Sequence, residues 1–211
     1  MKEVNFIFLV FLSLNIVAQP NLIEPDLINV DTVTDWVLHG RELTIDKGIH
    51  FNAKPEDGLL WLKDVNFANG SIELDIKGKN EQGKSFVGIA FHGLNDSVYD
   101  VVYFRAFNFT NPERKNHSVQ YISHPNHTWW SLRNQHPEEY ESTINPIPEP
   151  NDWFLVTIEV DFPMVKAFVN NASEPSLVIN QLSERKQGWV GFWAGYGSAG
   201  SYRNLKIVPS K

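Results

Sequence analysis

An arginine set inside an apolar strand is the first residue of this chain that demands a chemical partner. Arg105 stands in VVYFRAFNF (Val101–Phe109), where its charge must meet an anion or a hydrogen-bond acceptor. Between Val101 and His136 stand also Arg114, Lys115 and Arg133, against one acid, Glu113. Four cations against one acid give this stretch a charge of +3, in a chain whose net charge is -7. His117, His124, His127 and His136 supply four of the chain's seven histidines, and Trp129 and Trp130 add two indoles. Cations, imidazoles, phenols and indoles crowded together suit an anionic, ring-shaped ligand.

One reaction class fits these residue types: β-elimination beside a carboxylate. A uronic acid carries a weakly acidic proton at C5, and its removal pushes negative charge onto the C6 carboxylate. Arginine stabilises that charge bidentately, and a neutral amide can assist. Arg105, with Gln120 or Asn108, is placed in that role. His92, His117, Tyr103 and Tyr121 are the acid and base candidates, with their individual roles open. If the oxygen leaving C4 carries a sugar, the enzyme is a polysaccharide lyase. If it is a free hydroxyl, water leaves and the enzyme is a dehydratase. Trp129, Trp130 and Trp193 offer faces on which sugar rings stack, with His124 and Arg133 beside the first pair.

Two rivals stand against this reading. Glycoside hydrolysis needs a pair of carboxylates, and Glu73 and Asp75 lie about 7 Å apart along one strand face. The other rival is a carbohydrate-binding module without catalysis. A metal or cofactor is not expected: Pro125 separates His124 from His127, and no helix there faces both toward one ion. The absence of cysteine excludes thiolate ligands and nucleophiles.

Strands must position these side chains. Ile72, Leu74 and Ile76 alternate with Ser71, Glu73, Asp75 and Lys77; Val156, Ile158 and Val160 alternate with Thr157, Glu159 and Asp161. Val87, Ile89 and Phe91 alternate with Gly88, Ala90 and His92, and Val102, Phe104 and Ala106 with Tyr103, Arg105 and Phe107. Period two is the pattern of half-buried antiparallel strands. It places His92, Tyr103 and Arg105 on one face, and sets Gln120 opposite His117 and Tyr121. Segment His124–Arg133 reads as a loop, and Pro175–Arg185 as a place for a short helical turn. Many strands and frequent turns predict an all-β, two-sheet antiparallel β-sandwich of the jelly-roll kind.

Lys2, an apolar run from Phe6 to Val17, and Ala18 read as a secretory leader, residues 1–18. Residues 19–211 then form a single jelly-roll domain, secreted or periplasmic. No membrane anchor is expected after cleavage, and the acidic balance argues against a nucleic-acid partner. Six N-x-S/T sequons occur, some inside apparent strands, and read as chance in an Asn-rich chain.

The blocks NGSIELDI (Asn69–Ile76), FVGIAFHG (Phe86–Gly93), YDVVYFRAFNF (Tyr99–Phe109), HSVQYISHP (His117–Pro125) and GWVGFWAGYGSAGSYRNLKI (Gly188–Ile207) resemble the concanavalin A-like lectin/glucanase superfamily. More narrowly, they resemble its jelly rolls from secreted polysaccharide-utilisation systems of Bacteroidota. The RAFNF and HSVQY blocks are also similar to an oligosaccharide dehydratase that acts on ulvan. The resemblance implies an acidic oligosaccharide or polysaccharide partner and, for the glucanases, three acids on one strand. Here Glu73 and Asp75 match the first two, and Lys77-Gly78 stands where the proton donor belongs. That departure moves the expected chemistry from hydrolysis to elimination.

Overall fold

The computed structural model describes residues 21–210. The expected leader lies outside the described residues. Fourteen strands and one α-helix build two antiparallel seven-stranded sheets packed face to face. In chain order the strands are β1 (Trp36–His39), β2 (Leu43–Ile45), β3 (Ile49–Phe51), β4 (Gly58–Phe67), β5 (Gly70–Lys77), β6 (Phe86–Asn95) and β7 (Val98–Arg105). They continue as β8 (Val119–His124), β9 (Glu141–Ser142), β10 (Trp153–Asp161), β11 (Met164–Val169), β12 (Leu177–Asn180), β13 (Gly188–Ala194) and β14 (Gly200–Pro209). The first sheet runs β1-β4-β13-β6-β7-β8-β9, and the second β12-β11-β10-β5-β14-β3-β2. Neighbours that are distant in sequence, such as β13 between β4 and β6, give the jelly-roll sandwich that the strand pattern predicts.

The alternating strands behave as their period demands. Ile72, Leu74 and Ile76 on β5 and Val156, Ile158 and Val160 on β10 are buried between the sheets, while their polar partners face out. The first sheet departs from this rule. β7 is buried on both faces: Val102 and Phe104 point into the sandwich, and Val101 and Tyr103 join a second apolar cluster on the outer face with Trp61, Ile122 and Trp193. Trp61 lies close against this sheet because glycines run beneath it. A Cβ at Gly93 would come within 2.6 Å of its ring, and one at Gly191 within 2.7 Å.

Two segments differ from the sequence reading. Trp129–Gln135 is a helix, α1, in the segment expected to be loop. Thr128 caps it by accepting the Ser131 N–H, and Leu132 seals it onto the second cluster. Pro175–Arg185 holds strand β12 and no helical turn. Leu177 and Ile179 are buried while Val178 and Asn180 are exposed, a period of two satisfied by pairing with β11.

Candidate functional site

The outer face of the first sheet carries a cavity of about 320 Å³. Tyr103 and Trp193 lie at its base with Ile122 and Phe86, and Asp57, His124, Trp129 and Tyr196 line it further. Trp129 on α1 is 49% exposed and Tyr196 65%, so two aromatic rings reach into solvent beside the cavity. Asp57 precedes β4 and His124 ends β8. The carboxylate accepts the Tyr99 hydroxyl at 3.2 Å, and its Oδ2 stands 3.8 Å from His124 Nε2. The Tyr99 ring stacks on the imidazole, with centroids 4.9 Å apart. Burial, assisted by Arg185, holds the His124 imidazole below its ordinary pKa against the opposing pull of Asp57. His124 is therefore neutral at pH 7 and able to take a proton. Burial, with Asp57 next in weight, pushes the Tyr99 phenol up, so it keeps its proton.

Arg105 finds its partners inside the protein. Its Nη2 donates to the Tyr103 hydroxyl at 2.6 Å and to Gln120 Oε1, and its Nη1 to the His117 carbonyl at 2.9 Å and to Glu141 Oε2 at 3.3 Å. Tyr103 in turn donates to Gln120 Oε1 at 2.7 Å. Arg133 donates to Glu141 Oε2 at 2.8 Å, and His117 Nδ1 lies 2.9 Å from Oε1. Burial opposes ionisation of Glu141, but Arg133, Arg105 and His117 outweigh it and hold the carboxyl below its ordinary value. Glu141 lies just beyond the stretch counted as +3, and its charge answers the arginines there. At 4% exposure, with both terminal guanidinium nitrogens engaged, Arg105 braces Tyr103 and is not part of the cavity lining. Asn108 is equally internal, donating to the His117 carbonyl at 2.9 Å.

His92 and Tyr121 leave the groove altogether. A bulge between Phe91 and Asn95, with φ +49° at His92, turns that imidazole off the face its alternation predicts. Its Nε2 donates to the Ala68 carbonyl at 2.7 Å, which leaves Nδ1 to accept from Gln181 at 3.1 Å. Tyr121 donates to the buried Asp100 at 2.6 Å, and Arg185 pairs with Asp100 at 2.9 Å. Both ring nitrogens of His92 are occupied. Burial and Asp100 together push the Tyr121 phenol up. Burial also raises Tyr103, against Arg105, to about 12. Neither phenol serves as a base at neutral pH. His117 reaches Glu141 because it sits in a 3-10 turn before β8, so strand alternation never governed it.

Of the stacking candidates, Trp193 is 4% exposed and tilted against Tyr103, with centroids 5.1 Å apart. Trp129 lines the cavity and carries Arg133 over its ring at 5.6 Å, whereas Trp130 is exposed and is not part of the lining. Glu73 and Asp75 lie on the other sheet, along a cavity of about 680 Å³. Asp75 accepts from Arg203 and Asn204, and Glu73 pairs with Lys206. Sequence reasoning missed Asp57, Tyr99 and Glu141. Asp57 sits in a turn, Lys54-Pro55-Glu56-Asp57-Gly58, that carries no chemical signature.

Residues 25–208 match the model of the 3-keto-alpha-glucoside-1,2-lyase-like domain. The chain belongs to that family. This lyase-like domain is thus a carbohydrate-active domain, and solved structures agree with its fold. A carbohydrate-binding module of Bacillus subtilis is similar with a TM-score of 0.59 and 15% identity, over 82% of this chain and 96% of that one. A structure described as a native glycosidic hydrolase gives 0.60 and 11%, over 92% and 98%. The Emp46p carbohydrate recognition domain gives 0.54 and 15%, over 88% and 94%. No curated protein matches the lyase-like domain.

Proposed function

We propose that this protein is a carbohydrate lyase that eliminates the glycosidic oxygen from a 3-keto-glucoside. The observation that carries the proposal is the neutral His124 beside Asp57 on the wall of an aromatic cavity, in a chain of this family. A ketone at C3 acidifies the proton at C2, and the oxygen at C1 lies β to it. His124 takes the C2 proton, a double bond forms between C1 and C2, and the C1–O bond breaks. Asp57 stabilises the imidazolium, which returns the proton to the departing oxygen. Charge gathers transiently on the C3 oxygen and needs a hydrogen-bond donor. Glu141 answers Arg105 and Arg133, so a neutral ring suits this groove better than the acidic ligand inferred from the sequence.

Elimination at a uronate of an ulvan-like oligosaccharide is the second reading. It is favoured by the Arg133 guanidinium, 38% exposed and lying over Trp129, where a sugar carboxylate could pair. On either reading we propose, from the leader-like segment, that the enzyme works in the periplasm or outside the cell.

Incubation with 3-keto-glucosides, unmodified glucosides and uronate oligosaccharides separates the possibilities. A conjugated enone formed only from the keto-sugar supports the proposal, and an unsaturated uronate supports the second reading. A reducing end without unsaturation would mean hydrolysis. Retarded migration with no product would mean a binding module.

A further inference from the structure

We infer that Arg41 is the positioning residue that holds Asp57 against His124. That these two act together in catalysis rests on the elimination proposed above; that Arg41 places Asp57 does not. Residues 52–57, between β3 and β4, belong to no strand, and none of them is buried. With no buried side chain to fix it, this segment depends on its hydrogen bonds and on what presses against its ends. Its start is tied to Glu42: the Glu42 N–H donates to Asn52 Oδ1 at 2.8 Å, and Asn52 Nδ2 donates back to Glu42 Oε2 at 3.0 Å. Its middle is tied to the turn after β13, where the Gly197 N–H donates to the Lys54 carbonyl at 2.8 Å. Its end runs into Gly58, and there Arg41 lies against the chain.

Arg41 is 5% exposed. Its Nη1 donates to the Gly40 carbonyl at 2.7 Å, and its Nη2 to the carbonyls of Ala194 at 3.1 Å and Gly195 at 2.9 Å. Its side chain packs on Gly58 so closely that a Cβ there would come within 2.2 Å of Cγ and 2.6 Å of Nε. Gly40 presses on the same segment, since a Cβ there would lie 2.3 Å from the Asp57 carbonyl oxygen. Asp57 and Gly195 both line the aromatic cavity. One side chain thus joins two of its walls: the segment that carries Asp57, and the end of β13 that leads to Tyr196. Among the described residues its guanidinium donates to carbonyl oxygens alone, and its buried Nε has no partner. A buried charge without a bonded counter-ion costs free energy, and an apolar side chain of similar size would suit the fold better. Holding the walls in register gives that charge a use.

The test follows the His124 ring signals by NMR through a pH titration of wild type, Arg41→Met and Arg41→Lys, with no substrate present. Asp57 pulls the His124 titration upward, so an Asp57 that drifts away lets it fall. The midpoint should move to lower pH by about half a unit in Arg41→Met. It should move less in Arg41→Lys, which keeps the stem, the charge and a donor. Arg185, the cation that acts on the same imidazole, and Tyr99, stacked on it, are untouched by either change. Loss of the Arg41 charge by itself would move the midpoint the other way, so the sign separates displacement of Asp57 from a direct field. An unchanged or raised midpoint in folded Arg41→Met overturns the inference. If that variant does not fold, an unchanged midpoint in Arg41→Lys does so. On a 3-keto-glucoside Arg41→Met should lose about tenfold in kcat, and the loss should vanish in an Asp57→Asn background. A full loss in that background would show that Arg41 acts through something other than Asp57. A lowered His124 midpoint in a protein that turns over no keto-sugar would keep Arg41 in its role and discard the elimination, so the two failures are distinguishable.

Discussion

Asp57 Oδ2 stands 3.8 Å from His124 Nε2, across residues that lie far apart in the chain. The pair joins a turn before one strand to the last residue of another, and each half gains its meaning from the other. Replacing His124 with Ala should lower kcat by roughly 100- to 10,000-fold, the range for removing a general base. Activity should rise with pH through a value below 6.5 and then level off, because only the neutral imidazole takes a proton. Asp57→Asn removes the charge that holds this pKa up, so the acidic limb should move to lower pH as kcat falls. A limb that stays in place would disconnect Asp57 from His124.

The rim should act on binding alone. Trp129→Ala and Tyr196→Ala each remove an exposed ring beside the cavity. Each should raise KM about tenfold, a loss of about 1.4 kcal/mol, with kcat nearly constant. Steady-state kinetics on a 3-keto-glucoside checks this, and a fall in kcat without a rise in KM would contradict it.

Glu141 should matter to stability more than to chemistry. It is buried and answers Arg105, Arg133 and His117 together. Glu141→Ala leaves buried Arg105 without its counter-ion and should cost about 3 kcal/mol in urea unfolding. Glu141→Gln, which keeps an acceptor, should cost less. Equal stability of wild type and Glu141→Ala would show that the network contributes nothing.

Glu73 and Asp75 should be nearly silent. Their partners Lys206 and Arg203 are both more than a third exposed, and such pairs are worth about 1 kcal/mol or less. The double Ala variant should retain its carbohydrate activity. Loss of activity in a folded double variant would instead revive a hydrolase built on these acids.

Acid should weaken the fold before it reaches the carboxylates. Burial holds His92 and His124 below their ordinary value of 6.5. Below pH 6.5 the unfolded chain then binds more protons than the folded one, and stability falls as pH descends toward the folded values. Above 6.5 the contribution is complete and flat. Glu141, depressed below 4.5, extends the loss further down. Melting temperatures across this range check the order, and a flat profile between about pH 7 and pH 5 would refute it.

Strand identity was legible in this chain wherever one face met solvent. β5 and β10 alternate in sequence as they do in space. Side-chain direction was not legible at His92, because one bulge reverses a face and leaves no mark in composition. Arg105 announced its need for a partner correctly, but no local pattern reveals that a glutamate 36 positions away supplies it. α1 was missed because a helix of seven residues rests on one cap and one buried leucine, too little for a periodic signal. Asp57 acquires chemical meaning only through a neighbour brought to it by the fold.

β7 buries side chains on both faces, while β10 shows alternate residues to solvent. The two strands should therefore record mutation differently. On β10 every second position can drift at small cost. On β7 a substitution disturbs either the sandwich or the groove. Pressure to keep the fold and pressure to keep the site fall on the same eight residues, and neither can relax without the other.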